Sequence, residues 1–183
     1  MIDQLTAFRL ARHEFEDRLA SVDVDQWELP TPCAEWDVAA LVQHIIDGDS
    51  FATLLLGGSS LHDAITTLMA ETDPREFGAE ADSLDAAFSR ATPGQTVDHP
   101  VGVIPVEDFL EFRTTDYTGH AWDLARATGQ SEQLDPVLVA HLWERSEARL
   151  DMFTSSDHYG GGSRGADTTD LQARWLDRIG RIP

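Results

Sequence analysis

Two side chains suited to acid–base or metal chemistry, Asp116 and His120, stand four positions apart in the stretch DYTGHAWDLARATG. In a helix, side chains at this spacing lie on one face. Steps of three and four along that face reach mainly apolar residues: Phe109, Phe112, Leu124 and Ala127. An apolar face indicates burial, where an unpaired polar group costs about 1–3 kcal/mol. The spacing therefore predicts that both groups are satisfied, either by each other as an ion pair or by a metal ion.

A third candidate, His44, lies on a second apolar stripe with Leu41, Phe51 and Leu55, and the small Gly48 leaves room beside its imidazole. If the two stripes face each other, two imidazoles and one carboxylate meet. This donor set suits Zn²⁺, and Ni, Fe, Mn or Co would also accept it. A satisfied core histidine beside an ordinary ion pair fits the same spacing, so the pattern alone leaves both alternatives open.

The elements that must position these residues are predicted to be helices. Asp37 is a typical N-cap, and Gly57 with Gly58 ends the helix that carries His44. Pro105 suits the first turn of the helix that carries Asp116 and His120, and Gly129 ends it. Further helical stretches are predicted over 2–19, 60–70, 79–91, 136–152 and 170–180, with an extended segment or short hairpin over 95–105. We expect an all-α fold, a four-helix bundle with additional short helices.

Length and composition limit the classes of function. The 183 residues suit one domain, 1–183, with the Gly- and Ser-rich segment 153–169 predicted to be a flexible loop. The net charge of −20 repels phosphate backbones and anionic membrane surfaces, so neither nucleic acid nor membrane is an expected partner. The charged N-terminal stretch lacks the apolar core of a signal peptide, which makes the cytoplasm the expected compartment. A single cysteine, Cys33, excludes an intramolecular disulfide and any multi-cysteine zinc cluster.

Two blocks, TPCAEWDVAALVQHIIDGD and DYTGHAWDLARATGQ, together with the closing RWLDRIGRIP, resemble the DinB-like metal-binding proteins related to mycothiol-dependent maleylpyruvate isomerase. The likeness covers most of the chain, and HAWDLARATG is its most specific part. It implies a bundle in which His44, Asp116 and His120 hold a divalent metal. The isomerase has Glu where this chain has Asp116, so the shorter side chain would bring the metal closer to the helix that carries Asp116 or bind it more loosely.

The resemblance also implies an activity: a zinc-dependent enzyme that uses a low-molecular-weight thiol, of the mycothiol type, for thiol transfer or isomerisation. The expected partners are that thiol and an anionic or electrophilic small substrate, which Arg113 near the metal could steer. The chain is expected to be a monomer or homodimer. A metal-binding or interaction module without turnover is the alternative.

Three further expectations concern residues near these motifs. Cys33 is interpreted as a buried turn residue. Trp36 and Trp122 are interpreted as core or cleft-wall aromatics. Asp123 and Arg126, at i and i+3, are interpreted as a surface or cap pair.

Overall fold

A computed structural model of the chain describes residues 2–70, 76–147 and 168–183. Four long helices dominate it, and shorter elements connect and cover them. The elements in chain order are α1 (Gln4–Leu19), α2 (Val38–Leu56), α3 (Leu61–Ala70), α4 (Phe77–Arg90), β1 (Thr96–His99), β2 (Gly102–Pro105), α5 (Val106–Thr128), α6 (Pro136–Glu147) and α7 (Leu171–Arg178). Most of the expected loop, 153–167, and the end of the helix expected to reach residue 152 lie outside the described residues.

Helices α1, α2, α4 and α5 form the bundle. Each packs against two of the others, α1 and α2 both lying against α4 and α5. Helix α3 lies on α2, and α6 packs against α1 and α7. The strands β1 and β2 pair antiparallel as a hairpin in front of α5, with Thr96 opposite Pro105. The all-α prediction, with a four-helix bundle, short extra helices and a hairpin, is confirmed.

Local signals determine where the two site-bearing helices begin and end. The Asp37 side chain accepts a hydrogen bond from the Ala40 N–H at 2.8 Å and so caps α2, as predicted. Gly129 ends α5 with φ of 71°, a left-handed conformation that costs glycine little. Helix α5 is 23 residues long and mostly buried, so it forms the central element against which the others pack.

Aromatic rings from α1, α4 and α5 pack together in the core. The rings of Phe8 and Phe15 from α1 each contact the edge or face of Tyr117, with centroids 5.8 and 5.7 Å away. Phe88 from α4 closes the group against Phe8 at 5.2 Å. Such pairs contribute about 0.5–1.5 kcal/mol each beyond the area they bury. This packing, with a contact between Phe88 and Phe109, holds α5 and its residues Asp116 and His120 against α1 and α4.

None of the helices in the described part of the chain is long and apolar enough to cross a membrane.

Candidate metal centre

His44 from α2 meets Asp116 and His120 from α5. The Nε2 atoms of His44 and His120 lie 3.4 and 3.2 Å from the Asp116 carboxylate, and the two imidazole rings have centroids 5.0 Å apart. The three donor atoms all lie within 4.8 Å of one another. Tetrahedral zinc with bonds of about 2.0–2.1 Å places neighbouring donors about 3.3–3.4 Å apart. The distance from the carboxylate to each imidazole nitrogen therefore fits a small divalent cation.

The far side of His120 is held by a buried carboxylate. Its Nδ1 lies 3.0 Å from Asp123 Oδ2, and Asp123 is fully buried. An N–H on Nδ1 that donates to this carboxylate leaves the Nε2 lone pair directed toward Asp116 and His44. Carboxylate–histidine pairs of this kind orient histidines that bind metals. This placement corrects the expectation that Asp123 forms a surface pair.

Asp123 is itself fixed by the end of the chain. Arg181 donates to both oxygens of Asp123, at 2.7 and 3.1 Å, and the Cys33 thiol lies 3.2 Å from Oδ2. Cys33 lies in a turn, as expected, with its carbonyl accepting from the Trp36 N–H at 3.1 Å, but it is half-buried rather than buried, and its thiol contacts Asp123. Arg126, the expected partner of Asp123, pairs with Glu132 instead. Because Asp123 follows His120 by three residues, helical spacing could have predicted the contact between their side chains. The contact between Asp123 and Arg181 could not be predicted from spacing.

Arg113 holds the other side of Asp116. Its Nη1 donates to Asp116 Oδ2 at 2.5 Å, and its Nη2 donates to Asp49 Oδ1 at 2.7 Å and to the Ile45 carbonyl at 3.3 Å. The Tyr117 hydroxyl donates to the second oxygen of Asp49 at 2.5 Å. Arg113 and Asp49 are both buried. The guanidinium expected to steer a substrate is thus directed into the bundle, where it positions the Asp116 carboxylate.

The space for this guanidinium comes from Gly48. A Cβ at position 48 would lie 2.5 Å from Arg113 Nη1 and 2.9 Å from Cζ. The room expected beside the His44 imidazole is therefore used by Arg113. Asp49 was not predicted from the sequence, because Asp47 and Asp49 flank Gly48 alike and spacing does not tell which of the two is buried.

Hydrogen bonds and ion pairs at the centre shift the pKa values of Asp116 and His120. Burial by itself would raise the pKa of Asp116, but the Arg113 charge and the hydrogen bonds from His120 and His44 hold it well below its ordinary value. Burial would lower the pKa of His120, but the hydrogen bonds with Asp116 and Asp123 raise it well above its ordinary value. Each shift favours the charged form of its group, so Asp116 and His120 attract each other electrostatically.

An open cleft of about 510 Å³ adjoins the His44 side of the centre. Trp36 forms part of its wall, with its ring 4.8 Å from the His44 ring and 5.8 Å from the His120 ring. The expectation of a cleft-wall aromatic is thus confirmed for Trp36, and Trp122 is buried in the core. The side chains of His44 and Asp116 retain 38 % and 24 % of their exposure, so a small molecule can reach the donor atoms.

Three comparisons with known proteins agree. The family model described as the mycothiol maleylpyruvate isomerase N-terminal domain matches residues 8–125, which include His44, Asp116 and His120. Two uncharacterized proteins of Mycobacterium tuberculosis, MT0763 from strain CDC 1551 and Rv0738 from strain H37Rv, are each 36 % identical over 150 residues, which is 75 % of this chain and 74 % of each relative.

The fold also matches a solved structure, that of a histidine-to-alanine mutant of the mycothiol-dependent maleylpyruvate isomerase. The TM-score is 0.59 at 14 % identity, covering 87 % of this chain and 72 % of the isomerase chain. At this identity the likeness concerns the fold alone, and it agrees with the family match over α1 to α5. The chain therefore belongs to the family of the mycothiol maleylpyruvate isomerase N-terminal domain.

Proposed function

We propose that this protein binds a divalent cation, with Zn²⁺ the best match, through His44 Nε2, Asp116 and His120 Nε2, and that it uses the cation in an enzyme reaction of a low-molecular-weight thiol. The observation that carries the proposal is the donor spacing: each imidazole lies 3.2–3.4 Å from the Asp116 carboxylate. Two imidazoles and one carboxylate leave at least one coordination position for a small molecule, which is typical of catalytic zinc sites.

When bound, a divalent cation lowers the pKa of a coordinating thiol and so supplies a thiolate nucleophile at neutral pH. The remaining work falls to side chains of this chain. Asp123 fixes the tautomer and direction of His120. Arg113 occupies Oδ2 of Asp116 and leaves Oδ1, the oxygen nearest His120 Nε2, for a ligand role. Trp36 shields one side of both imidazoles from water.

The thiol component of the proposal is supported by the family. Its model is described by mycothiol and maleylpyruvate isomerase, and the solved isomerase that shares the fold is described as mycothiol-dependent. We therefore infer mycothiol or a similar thiol as cosubstrate, and thiol transfer or isomerisation through a thiol adduct as the reaction class. Because a fold does not fix chemistry, the thiol must be tested at this site.

Metal analysis combined with cobalt substitution provides that test. We expect about one equivalent of metal in the purified wild type and much less in His44→Ala, while His13→Ala, an exposed histidine on α1, keeps the wild-type content. In the Co²⁺-loaded protein, addition of mycothiol should produce a sulfur-to-cobalt absorption band. Metal without such a band would favour a binding module without thiol chemistry, and metal contents equal in His44→Ala and wild type would exclude this centre.

A further inference from the structure

His120 presents both of its ring nitrogens to groups that bind metals. Its Nε2 lies on the side of Asp116 and His44. Its Nδ1 lies on the side of Asp123 and Cys33. Cys33, His120 and Asp123 form a second trio whose donor atoms all lie within 4.8 Å of one another. The histidine is therefore common to two sets of donors, one on each side of its ring.

The second set also has a spacing close to that of a bound cation. Asp123 Oδ2 lies 3.0 Å from His120 Nδ1 and 3.2 Å from Cys33 Sγ, and Sγ lies 3.8 Å from Nδ1. Tetrahedral zinc, with bonds of about 2.0–2.2 Å to nitrogen and oxygen and about 2.3 Å to sulfur, places such donors about 3.3–3.6 Å apart. Thiolate, imidazole and carboxylate are all ligands that zinc accepts. The distances therefore do not decide between the two sets.

Arg181 places a positive charge in the second set. Its guanidinium donates to both oxygens of Asp123, at 2.7 and 3.1 Å, and its Nη2 lies 3.6 Å from Cys33 Sγ. The Arg181 side chain is 13 % exposed, and the Asp123 side chain has no exposed surface. A guanidinium in a protein is not deprotonated, so a change of pH does not remove this charge. A metal ion on this side of the ring would have to displace it.

The end of α7 holds Arg181 at this position. The Arg181 backbone N–H donates to the carbonyl of Leu176, a residue with no exposed surface, at 2.9 Å. Gly180 makes the turn with φ of 79°. The guanidinium also donates from Nη1 to the Ile179 carbonyl at 3.2 Å. These contacts make the guanidinium a fixed part of the second set rather than a side chain that moves freely at the surface.

The charge of a cation on the Nε2 side adds to the exclusion. That cation lies across the imidazole ring from Arg181, and Arg113 contacts Asp116 from behind. The carboxylates of Asp49, Asp116 and Asp123 contact these two guanidiniums. Two guanidiniums and one divalent cation already exceed the charge of three carboxylates, so a second divalent cation would be poorly compensated in a buried region. A neutral imidazole also has one lone pair, and it binds one metal at a time.

We propose that Arg181 determines the position of the metal at this centre. Its guanidinium excludes a cation from the Cys33 side of His120 and so keeps it on the Nε2 side, which adjoins the cleft. Without this charge, the chain would bind Zn²⁺ or Co²⁺ through Cys33, Asp123 and Nδ1, and the thiol and Nδ1 protons would pass to solvent. The statement about the wild type rests on the proposed function, whereas the second donor set is tested separately.

Cobalt spectra recorded without added thiol test the exclusion. The Co²⁺-loaded wild type should show no sulfur-to-cobalt band, because Cys33 does not coordinate the metal. Arg181→Gln should show the band, Arg181→Lys should not because it keeps the charge, and Cys33→Ser should remove the band from the Arg181→Gln protein. A band in the wild type that depends on Cys33, or no band in folded Arg181→Gln, would overturn the proposal. A band as strong in Arg181→Lys as in Arg181→Gln would reject the role of the charge.

Arg126→Gln is the matched control for Arg181→Gln. It removes a guanidinium that pairs with Glu132, and it should give no band. Urea unfolding of each metal-free variant shows whether it is folded. Arg181→Ala is the second neutral variant, and there added ethylguanidinium should enter the space left by the side chain and suppress the band. A band that ethylguanidinium leaves unchanged would show that metal and guanidinium do not compete, against the proposal.

Alkylation of Cys33 tests the exclusion in the wild type alone. Cys33 is the single cysteine of the chain, so the rate of its reaction with iodoacetamide is measured without interference from other thiols. We expect saturating Co²⁺ to change this rate by less than about twofold, because the metal does not bind the sulfur. Protection of about tenfold or more would place the metal on the sulfur and overturn the proposal.

Metal binding in the His44→Ala background separates this proposal from the proposed function. His44→Ala should bind Co²⁺ weakly, and addition of Arg181→Gln should restore about one equivalent with at least about tenfold higher affinity, which Cys33→Ser then removes. Restored binding in a chain whose wild type holds no metal would support the exclusion by Arg181 and reject the proposed function. Metal in the wild type without restored binding would retain the proposed function and overturn the role of Arg181.

Discussion

The guanidinium of Arg113 lies against the Cα of Gly48, so closely that a Cβ at position 48 would fall 2.5 Å from Nη1. The two residues belong to different helices, α5 and α2, and the contact places a buried cation between Asp49 and Asp116. The candidate metal centre and the bundle core therefore share the Arg113 side chain, and a substitution at Gly48 is expected to affect both.

Replacement of Gly48 by Ala tests this coupling. The added methyl group displaces Arg113 from Asp116, and we expect the affinity for Zn²⁺ to fall about tenfold or more. Stability reflects two opposing effects: alanine favours the helix by about 1 kcal/mol, whereas charge-assisted hydrogen bonds worth about 1.5–3 kcal/mol each are weakened. We expect a net loss of about 1–2 kcal/mol in urea unfolding of the metal-free protein.

Gly78→Ala is the matched control for that experiment. Gly78 lies in α4, and a Cβ there would meet nothing within 4 Å. The substitution should raise the free energy of unfolding by up to about 1 kcal/mol and leave zinc affinity unchanged. If Gly48→Ala behaves like Gly78→Ala in both measurements, Arg113 does not position Asp116.

Asp123→Asn tests the buried partner of His120. Asparagine keeps the shape of the side chain but removes the charge that holds His120 Nδ1–H and Arg181. Loss of an orienting carboxylate of this kind typically lowers metal affinity about 10–100-fold, and we expect this range in competition titrations with a zinc chelator. Glu132→Gln removes a carboxylate that pairs with Arg126 on the surface, and it should bind zinc as wild type does. Equal zinc affinity in Asp123→Asn and wild type would reject the orienting role.

Thermal unfolding with and without chelator should reveal the metal. A cation at about 100 times its Kd stabilises the native state by about 2.7 kcal/mol, which corresponds to a rise in Tm of about 5–11 °C for a chain of this size. The His120→Ala variant should fold and show no such rise, because it lacks one of three donors. A chelator-sensitive Tm that persists in this variant would mean that the stabilising metal binds elsewhere.

The pH dependence of the free energy of unfolding tests the protonation of His141, a buried residue of α6. Burial and the charge of Arg145 lower the pKa of His141 below its ordinary value, and its Nδ1 has no partner among the described residues. The unfolded chain therefore takes up the proton more readily. The contribution of neutral His141 is complete above about pH 6.5 and declines as the pH falls through that value toward the lower folded pKa.

Urea unfolding of the metal-free protein at about pH 7.5 and about pH 5 checks this sign. Wild type should lose more stability over that interval than His141→Gln, which has no proton to gain. The comparison between the two proteins cancels the titration of other groups. A larger loss in His141→Gln than in wild type would show that protonated His141 is stabilised in the fold.

Much of the fold followed from local signals. The Asp37 cap, the glycines that end α2 and α5, and the apolar stripes predicted both site-bearing helices to within one residue of where they begin and end. These signals are readable because capping and helical periodicity depend on residues within one or two turns. The placement of Asp116 and His120 on one face has the same origin, since four residues in a helix fix that relationship without any tertiary contact.

The partners of the polar residues were the part that local spacing did not determine. Arg113 was expected to face a substrate and instead enters the space at Gly48, 65 positions earlier in the chain. Asp123 was expected at the surface and is buried by Arg181, 58 positions later. Which side chain fills a space between helices depends on how the helices pack. Packing brings together residues that are far apart in sequence, and no repeating pattern in the sequence marks such pairs.

The sequence by itself determined the all-α class, the ends of α2 and α5, and the three candidate ligands, because caps, stripes and the i,i+4 pair are local properties. Only the tertiary structure decided that His44 lies across from Asp116, that Arg113 contacts Asp116 and Asp123 contacts His120, and that Trp36 and Phe51 line the adjoining cleft. Each of those relationships spans two or more elements, and its geometry is fixed by the packing of α2 against α5 and of the C-terminal segment beside them.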